Sequence, residues 1–341
     1  MITQGIRLAA LAGLAAAWFA APALAQKQTI KMAHWTGPAH HMVQTLAAWG
    51  ELIAKESGGN LVLEVDKAPL AKPPGQYDLV KNGIRDLAWP VPAYTKGRFE
   101  LMQVGELPFI CPNATACAQA TTSWYIRHGF DEKEFEDGRT KFLLAYNHGP
   151  GTVHSTVELT NLEQIKGVKM RAGGAGVPIA KALGMSVVAM SATEVHEALQ
   201  RGTVDGVLFP WEAVESFRLT ELVKNHLEIP GGMYSATFFH PINTKAFESL
   251  TEANKAALLR ASGVAGARLM GEHWDAADKA ARAKAVERGN TIHTLSAEER
   301  KRWLPLLDFV RKEWVDMADA KGLNGEMLLA DFRAEVEKFS K

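Results

Sequence analysis

Residues 165–212 constrain the fold most, because strand-like and helix-like pieces alternate along them. The predicted strands are 168–171, 186–190 and 204–210. The predicted helices between them are 176–184 and 191–202, and each ends in a glycine, a residue that commonly closes a helix. Strands that alternate with short helices predict βαβ units and a mainly parallel sheet. In such sheets ligands bind at the carboxyl ends of the strands.

One arginine and an aromatic cluster lie at these strand ends. Arg171 ends the first predicted strand, and Phe209 and Trp211 lie at the end of the last. A guanidinium presents paired donors that match the two oxygens of a carboxylate, so Arg171 is the candidate anchor for a small acid. The alternative is a solvated surface charge, the usual place of a lone arginine. Trp211 either caps a ligand pocket beside Phe209 or packs on the helix that begins there.

The amino-terminal half has the same alternation. Its predicted strands are 28–35, 60–68 and 84–92, and its predicted helices are 40–59 and 76–83. This is the order of one doubly wound half. The strand ends place His34, Trp35 and Trp89 on one rim as candidate cleft residues, although Trp89 also fits a core position. His40 and His41 fall on the first turns of a helix and are expected to be exposed.

A chain of 341 residues can bury a large core and usually divides into two domains. The run Gly149–Gly151 suits a chain that bends between domains, so we predict the crossing near 149–153. Domain II is assigned to 151–240, and domain I to 26–150 with about 241–341. The last part of the chain begins with one long predicted helix.

Three further residues are candidates for the site. His154 lies where the chain enters domain II, and Phe239 lies in the return segment; both are candidate ligand contacts. Glu212 is either a carboxylate in the first turn of a helix, stabilised by the helix dipole, or a ligand for a metal ion. No set of further metal ligands is evident in the sequence, so no metal site is predicted.

Residues 1–25 are typical of a secretory signal. Arg7 precedes an apolar run at 8–20, and the segment 23–25 has the small-residue pattern of a cleavage site. The alternative is a membrane anchor, but the run is short for a bilayer span. We therefore expect cleavage after Ala25 and a periplasmic protein.

Charge and motifs exclude several functions. Lysine plus arginine and aspartate plus glutamate number 38 each, a net charge of zero that gives no electrostatic reason to expect nucleic acid. The segment 196–200 lacks the second histidine of a zinc-protease helix, and 174–179 lacks the last glycine of a dinucleotide loop. No nucleophile elbow occurs. We predict neither an enzyme nor a cofactor.

The two cysteines, Cys111 and Cys117, are six residues apart. In an oxidising compartment they can form a disulfide that joins the 107–113 loop to the following helix, or they can remain free thiols. A metal pair is less favoured, because no second Cys/His pair with ligand spacing accompanies them.

The segments IKGVKMR, from residue 165, and ALGMSVVAMSATEVHEALQRGTVDG, from residue 182, closely resemble the DctP-type substrate-binding proteins of TRAP transporters. The resemblance extends from about residue 28 to near the carboxyl terminus. It implies two doubly wound α/β domains joined by a hinge, with a long carboxyl-terminal helix packing across both. It also implies that Arg171 holds a substrate carboxylate, that the position of His34 and Trp35 contacts substrate, and that the protein delivers its ligand to TRAP permease membrane subunits.

Departures from the family pattern bear on the ligand. The run 149–152 lacks the second arginine that many relatives carry, and Phe209 replaces a hydrogen-bonding amide. Ala192 stands where an aromatic residue is common. Fewer polar groups and more aromatic surface favour an apolar or aromatic monocarboxylate, such as a 2-oxo or 2-hydroxy acid, over a C4-dicarboxylate or sialic acid. The alternative functions are a periplasmic sensor that presents a bound carboxylate to a signalling partner, and an exported hydrolase.

Overall fold

A computed structural model describes residues 27–95 and 97–341 of the chain. The predicted signal segment, 1–25, lies outside the described residues. Within the part of the chain that is described, no helix combines the length and the apolar character needed to cross a membrane.

The described residues form ten strands and thirteen α-helices. The strands are β1 (Gln28–Met32), β2 (Leu61–Val65), β3 (Thr140–Asn147), β4 (Thr152–Ser155), β5 (Lys169–Ala172), β6 (Ser186–Ala189), β7 (Gly206–Phe209), β8 (Asn225–Glu228), β9 (Thr237–Asn243) and β10 (Thr291–Thr294). The helices are α1 (His41–Glu56), α2 (Gln76–Lys81), α3 (Ala114–Arg127), α4 (Phe130–Lys133), α5 (Leu162–Ile165), α6 (Gly176–Ala182), α7 (Val195–Gln200), α8 (Glu212–Ser216), α9 (Thr244–Glu248), α10 (Glu252–Ala261), α11 (Gly263–Glu287), α12 (Ala297–Ala320) and α13 (Gly325–Phe339).

Domain I is built on β1, β2, β3 and β9. The strands β1 and β2 are parallel, and β3 pairs antiparallel with β9. Leu87 connects the two pairs, since it bridges both Met32 and Ile242. Helix α1 covers this sheet because its apolar residues recur at helical spacing and are buried, including Met42, Leu46 and Trp49.

Domain II contains a six-stranded sheet with the order β10-β8-β4-β7-β5-β6. The strand β5 runs parallel to β6 and β7, so the βαβ units predicted for 165–212 are confirmed. A capping box of Ser191 and Glu194 begins the second of these helical segments. The remaining pairings are mixed, because β4 runs antiparallel to both β7 and β8.

Three predictions about chain organisation are corrected. The third strand expected at 84–92 is reduced to the bridge at Leu87, because Pro90 and Pro92 have no backbone N–H to donate to a sheet. The long helix expected at 251–288 divides into α10 and α11 at Ser262, whose backbone is extended. The strand β10, assigned to domain I from sequence, lies in the sheet of domain II.

Two segments connect the domains side by side. The first crossing segment, residues 148–151, leads from β3 to β4, and the second, residues 229–236, leads from β8 to β9. They are hydrogen-bonded to each other, with Gly151 N–H donating to Tyr234 O at 2.9 Å and His148 N–H to Ala236 O at 3.2 Å. Gly149 is required here by close approach, since a Cβ at this position would lie 1.7 Å from Oδ2 of Asp278.

The helices α11 and α12 both pack across the two domains. Helix α11 contacts α3 and β3 of domain I and α8 of domain II. On α12, Trp303 packs in the core of domain II, whereas Trp314 packs in a core cluster of domain I. The packing of a long carboxyl-terminal helix across both domains, which the family resemblance implied, is therefore confirmed.

Cys111 and Cys117 form a disulfide in the structure, with their Cα atoms 5.4 Å apart. It joins the loop before α3 to the first turns of that helix, as the spacing allowed.

Candidate functional site

A cavity of about 50 Å³ lies between the two domains. Domain I contributes Trp35, His40, Val91, Ala93, Tyr94 and Phe238. Domain II contributes Arg171, Gly173, Gly174, Ala192, Phe209, Pro210, Glu212 and Phe217. The crossing segments and α11 contribute His148, Tyr234, Ala236 and Trp274. Most of these residues are buried, so the cleft is closed.

The two domains come into contact at the rim of the cavity. A Cβ on Gly174 would lie 3.0 Å from the Cβ of Ala93, and a Cβ on Gly173 would lie 2.9 Å from the Tyr94 hydroxyl. Gly174 also has a φ of +52°, a conformation that side chains disfavour. The loop after β5 therefore reaches domain I only because it has no side chains at these two positions.

Arg171 is a buried cation in this cavity, with 1% of its surface exposed. Its Nε and Nη2 donate to the Met190 carbonyl at 3.3 and 3.0 Å, and its guanidinium lies 4.3 Å from the centre of the Phe209 ring. No carboxylate of the described residues forms an ion pair with it. A buried charge without a counterion is costly, so this site favours a bound anion.

Aromatic rings form the walls around this charge in three stacked pairs. Trp35 stacks on Trp89, with ring centres 4.3 Å apart, and its Nε1 donates to the Trp89 carbonyl. The ring of Phe209 lies parallel to that of Phe217 at 5.3 Å. Phe238 and Trp274 form the third pair, with ring centres 5.4 Å apart. Flat rigid surfaces of this kind favour a flat apolar ligand.

A polar group interrupts the aromatic wall where α1 meets α8. His41 Nδ1 donates to the Glu212 carboxylate at 2.9 Å. Burial alone would raise the pKa of Glu212, but the adjacent His41, which also donates a hydrogen bond to the carboxylate, outweighs burial and lowers that pKa to about 2. Glu212 is therefore an anion in the wall of the cavity.

His40 is neutral, and its hydrogen bond at the start of α1 determines which ring nitrogen carries the proton. Its Nδ1 accepts the N–H of Met42 as the N-cap of α1, at 3.2 Å. Nδ1 therefore carries the lone pair and Nε2 carries the proton. Burial lowers the pKa of His40 to about 3, so the ring stays uncharged at neutral pH.

The cluster of His40, His41 and Glu212 could hold a metal ion by distance alone, because one ligand atom from each lies within 4.8 Å of the others. The two histidines were not evident as partners of Glu212 in the sequence, since they lie on the other domain. The hydrogen bond of His40 argues against ligation by that residue. A neutral His40 would have to give up its bond from Met42 N–H before Nε2 could offer a lone pair, whereas His41 can offer Nε2 while its Nδ1 donates to Glu212.

His148 contributes only the face of its ring. Its Nδ1 donates to the Gly149 carbonyl at 2.6 Å, and its Nε2 accepts the N–H of Ala236 at 2.9 Å. Burial lowers its pKa to about 4. Both nitrogens are thus occupied by the crossing segments, and the ring remains neutral beside the cavity.

Four of the residues named from the sequence as candidates line the cavity: Arg171, Phe209, Trp35 and Glu212. His34 and Trp89 do not. The Nε2 of His34 bonds to the Asp66 carbonyl at 2.8 Å, behind the rim. Trp89 is fully buried and supports Trp35 from behind, which agrees with its alternative as a core residue.

Three predicted residues of the later chain also lie outside the lining. Trp211 turns away and donates from Nε1 to Glu228 at 2.9 Å. His154 is buried and donates from Nε2 to the Phe209 carbonyl at 3.2 Å, so it supports a lining residue without lining the cavity itself. Phe239 packs against Phe99 in the core of domain I.

Several residues that line the cavity were not predicted from the sequence. Phe238 lines the cavity in place of Phe239, because neighbouring side chains on a strand point to opposite faces. His40 is buried, and His41 is half-buried, where both were expected to be exposed; the ring of His40 packs against those of Trp35 and Phe217. Trp274 carries no local signal, since only the packing of α11 brings it to the site.

Comparison with known proteins agrees with this architecture. Residues 32–316 match the family described as bacterial extracellular solute-binding protein, family 7 (DctP). A TRAP periplasmic solute-binding protein from Bordetella bronchiseptica, with bound (R)- and (S)-mandelate, is 33% identical, has a TM-score of 0.85, and covers 91% of this chain and 99% of its own. A TRAP solute-binding protein from Rhodoferax ferrireducens, in complex with copurified benzoate, is 31% identical with a TM-score of 0.84, covering 92% of this chain and 98% of its own.

A third relative is the C4-dicarboxylate-binding periplasmic protein DctP of Rhodobacter capsulatus. It is 26% identical over 327 residues, which are 94% of this chain and 97% of that protein. Because the family match covers most of the sequence, this chain belongs to family 7 of the bacterial extracellular solute-binding proteins, the DctP family of TRAP-type substrate-binding proteins.

Proposed function

We propose that this protein is a periplasmic receptor that binds an aromatic monocarboxylate between its two domains and delivers it to the membrane subunits of a TRAP permease. The observation that carries the proposal is Arg171, a cation that is buried in the cavity and has no carboxylate partner among the described residues. A ligand carboxylate supplies the missing counterion, and a guanidinium binds it through two parallel hydrogen bonds.

The charges around the cavity favour one carboxylate over two. Arg171 is the only lysine or arginine among the described residues of the lining. Glu212, an anion in the same wall, repels a second carboxylate. A C4-dicarboxylate would therefore leave one charge both unpaired and opposed, which costs several kilocalories per mole in a closed cavity.

The stacked aromatic pairs favour a ring as the body of the ligand. The relatives from Bordetella bronchiseptica and Rhodoferax ferrireducens bind mandelate and benzoate, which are single-ring monocarboxylates. This chain is at least 31% identical to each of them. Their ligands support an aromatic acid for this protein as well.

Binding acts through closure of the two domains. The ligand stabilises the closed form only to the extent that it binds that form more tightly than the open one. Arg171 of domain II and the aromatic residues of domain I come together only when the cleft closes, so a ring that carries a carboxylate provides this difference. Closure also excludes water and strengthens the ion pair.

A thermal-shift screen of residues 26–341 tests the ligand class. The protein is denatured and refolded first, which removes any acid bound during expression. Benzoate, mandelate and phenylpyruvate are compared with succinate and sialic acid. An acid present at a hundred times its dissociation constant adds about 2.7 kcal/mol to the free energy of unfolding. Stabilisation by the aromatic acids alone supports the proposal, and stabilisation by succinate alone refutes it.

Delivery to a permease needs a separate experiment. Uptake of the radiolabelled acid is measured in cells that carry the TRAP membrane subunits, with and without this protein. Uptake that depends on the protein supports transport, whereas tight binding without any effect on uptake favours the sensor. Amino-terminal sequencing of the exported protein, expected to begin at Gln26, checks the periplasmic location.

A further inference from the structure

We propose that Glu212 and His40 form a hydroxyl-binding subsite, so that the preferred ligands are aromatic acids that also carry a hydroxyl group. This inference rests on the proposed function and specifies its ligand further. It concerns the polar break in the aromatic wall, where α8 of domain II meets the beginning of α1 in domain I. The two residues come from different domains, so the subsite is complete only in the closed cleft.

Glu212 is a fixed acceptor with remaining capacity. Its backbone N–H donates to Asp278 Oδ1 at 2.7 Å, and His41 Nδ1 donates to its carboxylate at 2.9 Å. Its surface is only 3% exposed. An ionised carboxylate has about four acceptor positions, and the bonds from His41 and Ser216 use two of them. The rest can accept an O–H from a ligand in the cavity that Glu212 lines.

His40 is a fixed donor. Its Nδ1 is held by Met42 N–H, so the proton on Nε2 is the one hydrogen that the ring can donate. Among the described residues no acceptor bonds to this nitrogen. The ring is 3% exposed and lines the cavity. An acceptor atom of a ligand in the cavity can therefore take this hydrogen.

The spacing of the pair matches a single oxygen. A ring nitrogen of His40 and a carboxylate oxygen of Glu212 lie within 4.8 Å of each other. At that separation, one ligand oxygen can lie within hydrogen-bond distance of both residues. A hydroxyl accepts from one partner and donates to the other at the same time.

Other ligand groups satisfy only half of this arrangement. A second carboxylate accepts from His40 but is repelled by Glu212. An ammonium donates to Glu212 but leaves the N–H of His40 facing a cation. A plain ring satisfies neither group and leaves both polar atoms buried without a partner. The hydroxyl is therefore the group that the pair selects.

The test compares matched acids that differ by one hydroxyl. Dissociation constants are measured by calorimetry for mandelate against phenylacetate and for 3-hydroxybenzoate against benzoate. Phenylglycine, which carries an ammonium in place of the mandelate hydroxyl, is the third comparison. In the refolded wild-type protein, at least one hydroxy acid should bind about tenfold or more tightly than its partner, because hydrogen bonds to charged groups are among the stronger ones.

Two variants separate the subsite from the rest of the cavity. Glu212→Gln keeps the shape of the side chain and removes its charge, and His40→Asn keeps a good N-cap for α1 while withdrawing the ring donor. In each, the ratio of the two dissociation constants should fall to about threefold or less, because the variant lacks one of the two partners of the hydroxyl. Glu215→Gln, on the same helix but paired with Lys284 and Arg288, should leave the preference unchanged.

The outcomes test the hydroxyl subsite and the proposed aromatic-acid receptor separately. If benzoate and phenylacetate bind as tightly as their hydroxylated partners, the hydroxyl subsite is wrong and the aromatic-acid receptor stands. A preference that persists in both variants, or tighter binding of phenylglycine than of mandelate, also overturns the subsite. If none of these acids binds, the proposed function fails and the inference fails with it.

Discussion

Replacing Arg171 by methionine should remove ligand binding without removing the fold. Methionine keeps much of the apolar contact with Phe209 and carries no charge. A ligand carboxylate held by two hydrogen bonds to the guanidinium gains about 1.5–3 kcal/mol from each. The variant should therefore lose about 3–6 kcal/mol of binding free energy, which corresponds to roughly a hundredfold to ten-thousandfold weaker affinity for benzoate.

The same substitution should change the stability of the ligand-free protein much less than it changes affinity, because the buried charge of Arg171 has no carboxylate partner among the described residues. The substitution removes the bonds to the Met190 and Leu208 carbonyls, each worth about 1 kcal/mol. The Leu208 carbonyl keeps its bond from the Tyr234 hydroxyl at 2.9 Å. Removing an uncompensated buried charge offsets the loss. We expect the free energy of unfolding to change by less than about 2 kcal/mol.

Calorimetric titration with benzoate and urea unfolding of the ligand-free protein measure the two quantities. Arg201→Met, at the exposed C-cap of α7 and paired with Glu197, is the matched control and should change neither. A variant that loses more than about 4 kcal/mol of stability yet binds benzoate within tenfold of the wild type would refute the reasoning. Arg171 would then be a structural residue and the anion site would lie elsewhere.

Three further predictions concern stability. Burial raises the pKa of Glu106 to about 8. The contribution of this carboxyl to stability is therefore fully present below the unfolded pKa of about 4.5 and is lost as pH rises through 8. Between pH 5 and 8, urea unfolding should show a smaller decline in the free energy of unfolding for Glu106→Gln than for the wild type, and equal slopes would contradict this. Gly149→Ala should cost about 1–3 kcal/mol by overpacking the crossing segment, whereas Gly37→Ala, with nothing near its Cβ, should cost far less. Thiol titration of the denatured, unreduced protein should find Cys111 and Cys117 oxidised, and two free thiols would exclude the disulfide.

The stretch 165–212 could be predicted well because its signals are local. A capping box forms between Ser191 and Glu194, which are only three residues apart. The glycines that close the helices of this stretch likewise act over a few residues. The parallel pairing of β5 with β6 and β7 follows from short crossovers between them. Arg171 was identified for the same reason, since the end of a strand in this motif is a defined place.

The rest of the site depends on which face of an element points inward and on contacts between distant segments. A strand such as β9 buries both Phe238 and Phe239, so hydrophobicity alone does not say which one lines the cavity. The pairing of His41 with Glu212 joins residues 171 positions apart. Trp274 reaches the site only through the packing of α11. No local pattern in the sequence carries this information.

Two aspartates of α11 accept hydrogen bonds, one from each domain. Asp275 accepts the N–H groups of Ala114 and Thr115 at the start of α3 in domain I, and Asp278 accepts the N–H of Glu212 at the start of α8 in domain II. Arg282 and Lys284 of the same helix also pair with Glu228 and Glu215 of domain II. Because Asp278 fixes the backbone of a residue that lines the cavity, a movement of α8 relative to α11 should also move the Glu212 carboxylate.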